Sequence, residues 1–159
     1  MKSLVMRTFG GLGLVLVLLV AGCGSDDDSS EGSSESVELP AEAVDALAAY
    51  TEATAVDHDG DAMLVTVTDD YTFLSVGETV KDKDAYADEV NLYSSDYVIE
   101  TIGDDEVVGG GDTYIVSRAN DASGGGFFST GFSVIRLVET EDGWLVDAHR
   151  FLGDRSAAQ

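Results

Sequence analysis

Apolar and polar residues follow a helical period in the first half of this chain and a two-residue period in the second. Between Ala41 and Ala55, the apolar residues Val44, Leu47 and Ala48 recur at the three- and four-residue spacing of a helix. The many alanines favour the same structure, and Glu42 suits the positive end of the helix dipole. The pattern predicts an amphipathic helix over this range.

Three further elements are predicted before residue 97. A short helix, with Asp61 as its cap, carries its apolar residues on one side. A strand follows, rich in aromatic and β-branched residues, and then a third helix that begins at Lys81 or Asp82 and ends near Leu92. The short helix and the strand cover Ala62–Thr68 and Tyr71–Val76.

From Tyr97 onward the chain alternates as strands do, with glycine-rich turn signals between the runs. Gly131, inside the longest run, indicates a bend or a bulge. From Asp154 the sequence is small and polar and predicts a frayed tail. The predicted strands are Tyr97–Ile102, Asp112–Asn120, Phe127–Glu139 and Trp144–Leu152, and the predicted turns are Gly103–Asp105, Gly109–Gly111, Ser123–Gly126 and Glu141–Gly143.

Helices followed by a run of strands favour the α+β class. The expected architecture is a set of N-terminal helices packed on one face of a curved antiparallel sheet, a cone-like or cystatin-like roll. One domain over 41–153 accounts for the pattern, with residues 154–159 as a tail.

The N-terminal segment has the features of an export signal. Lys2 and Arg7 precede an apolar run from Leu12 to Val20, which is shorter than the roughly 20 residues that span a bilayer. The run ends at Leu19-Val20-Ala21-Gly22-Cys23, which closely resembles the lipobox of bacterial lipoproteins. The resemblance implies that residues 1–22 are removed and that Cys23 receives a diacylglycerol. It also implies a protein anchored by lipid to the outer face of the cytoplasmic membrane.

Charge and cysteine content exclude several classes of function. Residues 23–40 form an acidic, serine-rich segment that predicts a disordered tether. The chain has 31 Asp and Glu against 8 Lys and Arg, a formal net charge of −23, which disfavours nucleic acid as a partner. An acidic coat for solubility and a surface that captures cations both remain open. Cys23 is the only cysteine, which excludes a disulfide and a thiolate metal site within the domain.

A calcium loop is the one metal motif that the sequence suggests, and it is incomplete. Asp57, Asp59 and Asp61 alternate as the first ligands of such a loop do. Ala62 then stands where the loop needs glycine, and Thr68 where it needs a bidentate glutamate. We therefore expect no metal and no cofactor.

The order of elements from Ala41 to Leu152 resembles the nuclear-transport-factor-2-like superfamily, in particular its SnoaL-like and ketosteroid-isomerase-like branches. This resemblance implies a pocket that opens at one end between the sheet and the helices. It covers both enzymes and pure binding or dimerisation modules, so it does not specify the function. Besides the opening helix, the resemblance depends on Asp59–Ala62, Asp69–Phe73, the passage from Gly77 through Lys81–Val90, and the closing hairpin Glu141–Asp147.

The candidate chemistry of such a pocket centres on His149. Asp147 lies two residues earlier in the same predicted strand, so that strict alternation places both side chains on one face, with Asp147 able to orient a general base. The opposite face carries Trp144, Val146 and Ala148, so this polar face is equally consistent with an exposed or dimer-facing surface. Further pocket candidates are Tyr71, Tyr114 and Arg118.

Two functions of different classes follow. The first is a non-enzymatic, membrane-tethered lipoprotein whose domain binds a small apolar ligand or an envelope protein, with a homodimer through the sheet face. The second is an isomerase- or hydratase-type enzyme that uses His149 and Asp147 on an apolar substrate. Whether His149 faces a closed pocket discriminates between them, because the enzyme hypothesis fails if its ring is exposed on the outer side of the sheet.

Overall fold

The computed structural model describes residues 37–124 and 127–157, with the backbone alone for Phe127 and for residues 154–157. The chain divides into two units between Ser33 and Ser34, and every described residue belongs to the second. The predicted signal, the lipobox and most of the predicted tether lie outside the described residues. Within the described ranges, no helix is long and apolar enough to cross a membrane.

Three α-helices precede or interrupt the strands: α1 (Ala41–Thr51), α2 (Gly60–Leu64) and α3 (Lys83–Val90). A π-helical turn, Glu52–Val56, continues α1. The apolar stripe of α1 differs from the prediction: Val44 is 48% exposed, while Ala43, Leu47 and Tyr50 are buried. The helix is rotated because the core accepts the large ring of Tyr50, which buries more apolar surface than valine does.

The second helix begins earlier than predicted. Asp59, and not Asp61, is its N-cap, with a side-chain oxygen that accepts a hydrogen bond from the backbone N–H of Ala62 at 2.9 Å. The helix ends at Leu64, so that Val65 and Thr66, predicted as helical, form a turn, and Val67 and Thr68 belong to the first strand.

A close backbone approach explains why α2 starts with glycine. A Cβ atom on Gly60 would lie 2.3 Å from the carbonyl oxygen of Ala87 in α3. The Gly60 N–H also donates to Asn91 Oδ1 at 2.8 Å. The two helices therefore meet through backbone contact that no larger residue permits.

Six strands form one sheet in the order β2-β1-β6-β5-β4-β3. The strands β1 and β6 pair in parallel, and the other pairings are antiparallel. The predicted antiparallel sheet is therefore a mixed sheet, because the helical segment carries the chain away before β6 returns beside β1. The strands are β1 (Val67–Ser75), β2 (Lys81–Asp82), β3 (Val98–Gly110), β4 (Thr113–Gly124), β5 (Phe127–Thr140) and β6 (Gly143–Ala157).

Glycine and acidic clusters do not always end a strand here. The predicted turn Gly103–Asp105 lies inside β3, where it produces a register shift between Ile102 and Glu106. The strand β6 continues to Ala157, past the start of the predicted tail. Pairing with a neighbouring strand satisfies the backbone groups that a frayed tail would leave to water.

Gly131 is not at a bulge. Its pairing with β4 and β6 is regular, with Asn120 and Gly153 as partners. A Cβ atom at this position would lie 2.5 Å from Gly153 Cα and 2.5 Å from the carbonyl oxygen of Leu152. Glycine is required because β6 approaches closely across this point.

The core lies between the helices and one face of the sheet, which we call the inner face. Its largest fully buried side chains come from helices and strands alike, and two of them are tyrosines that place hydroxyl groups inside the core. These residues are Tyr50, Met63, Tyr71, Val90, Val116, Leu137 and Val146.

Candidate functional site

A cavity of about 40 Å³ lies on the inner face of the sheet, next to α3. By the measure of one probe sphere per molecule, it has room for about three waters. Its wall combines aromatic rings with hydroxyl and amide groups, and no lysine, arginine, aspartate or glutamate is among its described lining residues. These are Phe73, Ser75, Tyr86, Tyr93, Tyr97, Ile99, Asn120, Ala122, Ser129, Ser133, His149 and Phe151.

A second cavity of about 40 Å³ shares part of this wall. It extends toward α1 and is also lined by Arg118. Five residues line both cavities. The shared residues are Tyr86, Ile99, Asn120, Ser133 and His149.

The two-residue period of β5 builds the polar part of the wall. Ser129, Gly131 and Ser133 fall on the same face of the strand because side chains alternate. Asn120 pairs with Gly131, and its amide Nδ2 donates to Ser133 Oγ at 2.7 Å.

His149 belongs to a chain of hydrogen bonds that is fully buried between Tyr50 and Tyr71 and partly buried at the imidazole. Its Nδ1 lies 2.8 Å from Tyr50 Oη, and its Nε2 lies 2.9 Å from Ser133 Oγ. Tyr50 Oη in turn lies 2.7 Å from Tyr71 Oη. The network therefore runs from β1 through α1 to β6 and β5, and it fixes the imidazole at both nitrogens.

Burial keeps His149 neutral. Desolvation lowers the pKa of His149 to about 3, and the positive charge of Arg118 acts in the same direction. The tyrosine hydroxyls stay protonated as well, because burial raises the pKa of Tyr50 and Tyr71 well above the usual value. At neutral pH the network is thus made entirely of uncharged groups.

Each neutral tautomer of His149 leaves one hydroxyl proton of the network without an acceptor, and the place of that proton, in the core or at a cavity, selects between them. If Nδ1 carried the proton, Tyr50 would donate to Tyr71, whose own proton has no acceptor among the described residues. Tyr71 is 1% exposed, and a buried donor without a partner costs about 1–3 kcal/mol. With the proton on Nε2, His149 donates to Ser133, Tyr71 donates to Tyr50, and Tyr50 donates to Nδ1.

In this tautomer the proton left without an acceptor belongs to Ser133. The Ser133 oxygen then accepts from both Asn120 and His149, which uses its two lone pairs. Its hydrogen is free to face the cavities that Ser133 lines, where water or a ligand can accept it.

Ser129 supplies a second hydroxyl without a partner. The residue is 2% exposed and lines the first cavity, and its Oγ has no hydrogen bond within the described part of the chain. An unpaired buried hydroxyl is retained at a cost in stability, and such groups occur where function needs them.

Asp147 and His149 do not share a face. Leu137 pairs with Val146 and Arg136 with Ala148, so Asp147 is an extra residue that forms a bulge in β6. The bulge shifts the alternation, and both Val146 and His149 point inward. The Asp147 carboxylate instead accepts from Thr68 Oγ1 at 2.9 Å and pairs with Arg136.

The other three predicted pocket residues are dispersed. Arg118 pairs with Asp105 at 2.6 Å and lines the second cavity. Tyr71 lies in the core behind the cavities, within the hydrogen-bond network. Tyr114 packs on Trp144, with the ring centroids 5.5 Å apart, and lines neither cavity.

The outer face of the sheet carries a row of exposed apolar side chains. Ile102, Ala119, Phe132 and Leu152 are successive cross-strand partners, so they lie side by side on one face. Phe132 is 58% exposed and Leu152 is 52% exposed. An apolar row that crosses four strands is typical of a surface that contacts another protein.

Charges of opposite sign flank this row. Arg150 and Arg136 lie on one side of it along the strands, and Glu100 and Asp121 lie on the other. Arg150 is exposed and makes no ion pair with another described residue. The face therefore has a basic side and an acidic side.

The described residues contain no group of three or more His, Cys, Asp or Glu side chains arranged to hold a metal ion. His58, in the turn before α2, lies against Tyr93 and Tyr97 with ring centroids 5.7 and 5.8 Å away. It adopts a positive φ of 53°.

The sequence pattern singled out His149 as a candidate but not the residues that hydrogen-bond to it. Tyr50 was included only as part of a helix, and Ser129, Ser133 and Asn120 were not singled out. The available signal was the pattern Ser-x-Gly-x-Ser in β5, which places polar residues at the period of an otherwise buried face.

Comparison with known proteins identifies the fold and not the activity. No family model matches this chain. No curated protein matches it either.

Solved structures with the same fold include a ketosteroid isomerase-like protein from Erwinia carotovora atroseptica. It is 18% identical, with 71% of this chain and 94% of that chain covered and a TM-score of 0.54. A nuclear-transport-factor-2-like protein of unknown function from Shewanella baltica is 18% identical, with coverages of 72% and 93% and a TM-score of 0.55.

A third similar structure is a protein of unknown function with a cystatin-like fold from Nostoc punctiforme. It is 12% identical, with coverages of 74% and 96% and a TM-score of 0.58. At these identities the likeness is one of fold, which is the α+β, cystatin-like fold expected from the sequence.

Proposed function

We propose that this protein is a non-catalytic binding module for a small uncharged ligand, held at a membrane by a lipid on Cys23. The observation that carries the binding proposal is the unpartnered hydroxyl of Ser129, buried in the wall of an aromatic cavity. Such a cavity, apolar with a few convergent polar groups, is the usual form of a small-molecule site.

The walls support an uncharged ligand. An ion that enters the first cavity would lose its hydration without meeting an opposite charge, since the described lining holds no charged side chain. The formal net charge of −23 adds repulsion against anions. A neutral molecule avoids both costs.

The environment of His149 supports binding over catalysis. A general base that works near neutral pH has a pKa close to 7, whereas that of His149 is about 3. Both of its nitrogens are engaged by Tyr50 and Ser133, and Asp147 is turned away to Arg136. The enzyme hypothesis, which the name of the Erwinia neighbour also suggests, lacks an available base among the described residues that line this cavity.

The binding proposal predicts that cyclopentanone, a neutral molecule of six non-hydrogen atoms, binds in the first cavity and its opening. Amide chemical shifts of β5 and β6 are expected to saturate on titration. Ala122→Val, which fills the cavity wall, should weaken binding at least about tenfold through steric exclusion. Ala119→Val, on the outer face of the same strand, should leave the affinity unchanged. The absence of saturable shifts, or equal loss in both variants, would contradict the proposal.

The lipid anchor is supported by the segment Leu19–Cys23. In bacteria that carry the lipoprotein pathway, the protein recovered from membranes is expected to lack residues 1–22 and to bear a diacylglycerol on Cys23. Intact-mass measurement checks both changes at once. Cys23→Ser should abolish both, and Ser25→Ala should abolish neither. A wild-type protein of unmodified mass would refute the anchor.

The outer face of the sheet supports self-association through a second copy of this chain. A two-fold axis along the row Ile102–Ala119–Phe132–Leu152 superposes the row on itself and brings the basic side of one copy onto the acidic side of the other. This arrangement covers the exposed apolar side chains and gives Arg150 an opposite charge.

A further inference from the structure

We infer that the ligand is anchored through a hydrogen-bond-accepting oxygen of the carbonyl type, received by the Ser129 hydroxyl. This inference rests on the proposed function and narrows it to ketones, esters and related molecules that accept hydrogen bonds without needing to donate them.

The first step is the state of Ser129. Its oxygen makes no hydrogen bond to a described residue, although Ser129 is only 2% exposed. A hydroxyl has one proton and two lone pairs, and buried donors are left without a partner more rarely than acceptors are. A ligand that accepts the Ser129 proton therefore satisfies the donor, which is the group that costs more to leave unpaired.

The second step is the polarity of the remaining wall. In the tautomer derived above, Ser133 also presents a proton without an acceptor, while both of its lone pairs are occupied. Ser129 and Ser133 lie on the same face of β5, four residues apart, which is about 13 Å along a strand. The cavity thus offers unfilled donors at both places, so that an acceptor-bearing ligand fits it better than a donor-bearing one.

The third step concerns the size of the ligand and the apolar part of its structure. The cavity of about 40 Å³ encloses the volume of about three waters and is partly open, so that a six-atom ligand places its carbonyl group inside and its remaining atoms toward the opening. The rings of Phe73, Tyr86 and Phe151 surround the rest of the space and suit an apolar body. A small cyclic ketone combines these features.

The test compares cyclopentanone with methylenecyclopentane, which has the same shape with a CH2 group in place of the carbonyl oxygen. Amide chemical shifts of the ¹⁵N-labelled full chain report binding, and headspace analysis gives the free ligand concentration. The wild-type chain is expected to bind cyclopentanone about tenfold more tightly than methylenecyclopentane, the ratio that one hydrogen bond supplies. Ser129→Ala should reduce this ratio to about one.

Control variants distinguish the loss of the Ser129 hydrogen bond from a change in stability or in the cavity itself. Ser129→Ala should unfold at a slightly higher temperature than the wild type, because it removes an unpaired buried hydroxyl. Ser117→Ala, on the outer face of β4, should keep the tenfold ratio between the two affinities. Equal binding of the two compounds by the wild type would overturn the carbonyl anchor and leave the proposed binding function standing. No binding of cyclopentanone would overturn both.

Discussion

Acidification from pH 7 to pH 4 is expected to lower the free energy of unfolding by about 3 kcal/mol through His149 alone. The pKa of His149 is about 3 in the folded protein, against 6.5 for an unperturbed histidine. Each pKa unit of difference is equivalent to about 1.4 kcal/mol of unfolding free energy. About 2.5 of these units lie between the unperturbed pKa of 6.5 and pH 4.

The sign follows from which state binds the proton first. Below pH 6.5 the unfolded chain protonates its histidine, whereas the folded chain does so only near pH 3. The stability is fully present above the unfolded pKa and is lost as the pH falls toward the folded pKa. Protonation in the folded state would also require both ring nitrogens to donate, although Tyr50 donates to Nδ1 in the neutral network.

Denaturant titrations at pH 7 and pH 4 check this expectation when the wild type is compared with His149→Gln. The variant lacks the titrating group but keeps every carboxylate, so the large acidic contribution is common to both proteins and cancels in the difference. The wild type should lose about 3 kcal/mol more than the variant. An equal loss in the two proteins would show that His149 is not held neutral by burial.

Phe132→Glu is expected to weaken self-association of the chain by at least about 100-fold. Phe132 lies near the middle of the apolar row on the outer face and is 58% exposed. In the proposed dimer it becomes buried, and a carboxylate placed there loses its hydration without a partner at a cost of about 3 kcal/mol or more. Sedimentation equilibrium across a range of protein concentrations measures the change.

The matched control is Val65→Glu. Val65 is 78% exposed at the end of α2 and is not part of the apolar row, and its replacement adds the same negative charge. It should therefore leave the association constant within about twofold, apart from the general repulsion between acidic chains. A wild type that stays monomeric at high concentration, or equal effects of the two substitutions, would rule out the sheet-face dimer.

Local patterns were sufficient for the succession of elements. The alternation after residue 97 and the helical spacing before it predict the helices and the four long strands near their observed places, because hydrophobic period is a local property. The clusters at 109–111 and 141–143 lie where hairpins connect strands. Gly103–Asp105 has the same composition but lies inside β3, since pairing with β4 outweighs its turn preference.

Which side chains point into the core depended on contacts between distant parts of the chain. A single bulge at Asp147 changes which residues of β6 point inward, and it separates the pair that strict alternation had placed together. The helical stripe of α1 was likewise displaced, from Val44 to Ala43 and Tyr50, by the shape of the core that receives it. Neither effect leaves a signal in the segment where it occurs.

The acidic charge, the single cysteine, the α+β class and the candidacy of His149 all follow from composition and local pattern, because each is a property of residues or short segments. The parallel pairing of β1 with β6, the neutral network around His149 and the unpartnered hydroxyl of Ser129 do not. They depend on contacts between residues up to 99 positions apart, such as Tyr50 and His149, whose distance and protonation are set only when the helices close over the sheet.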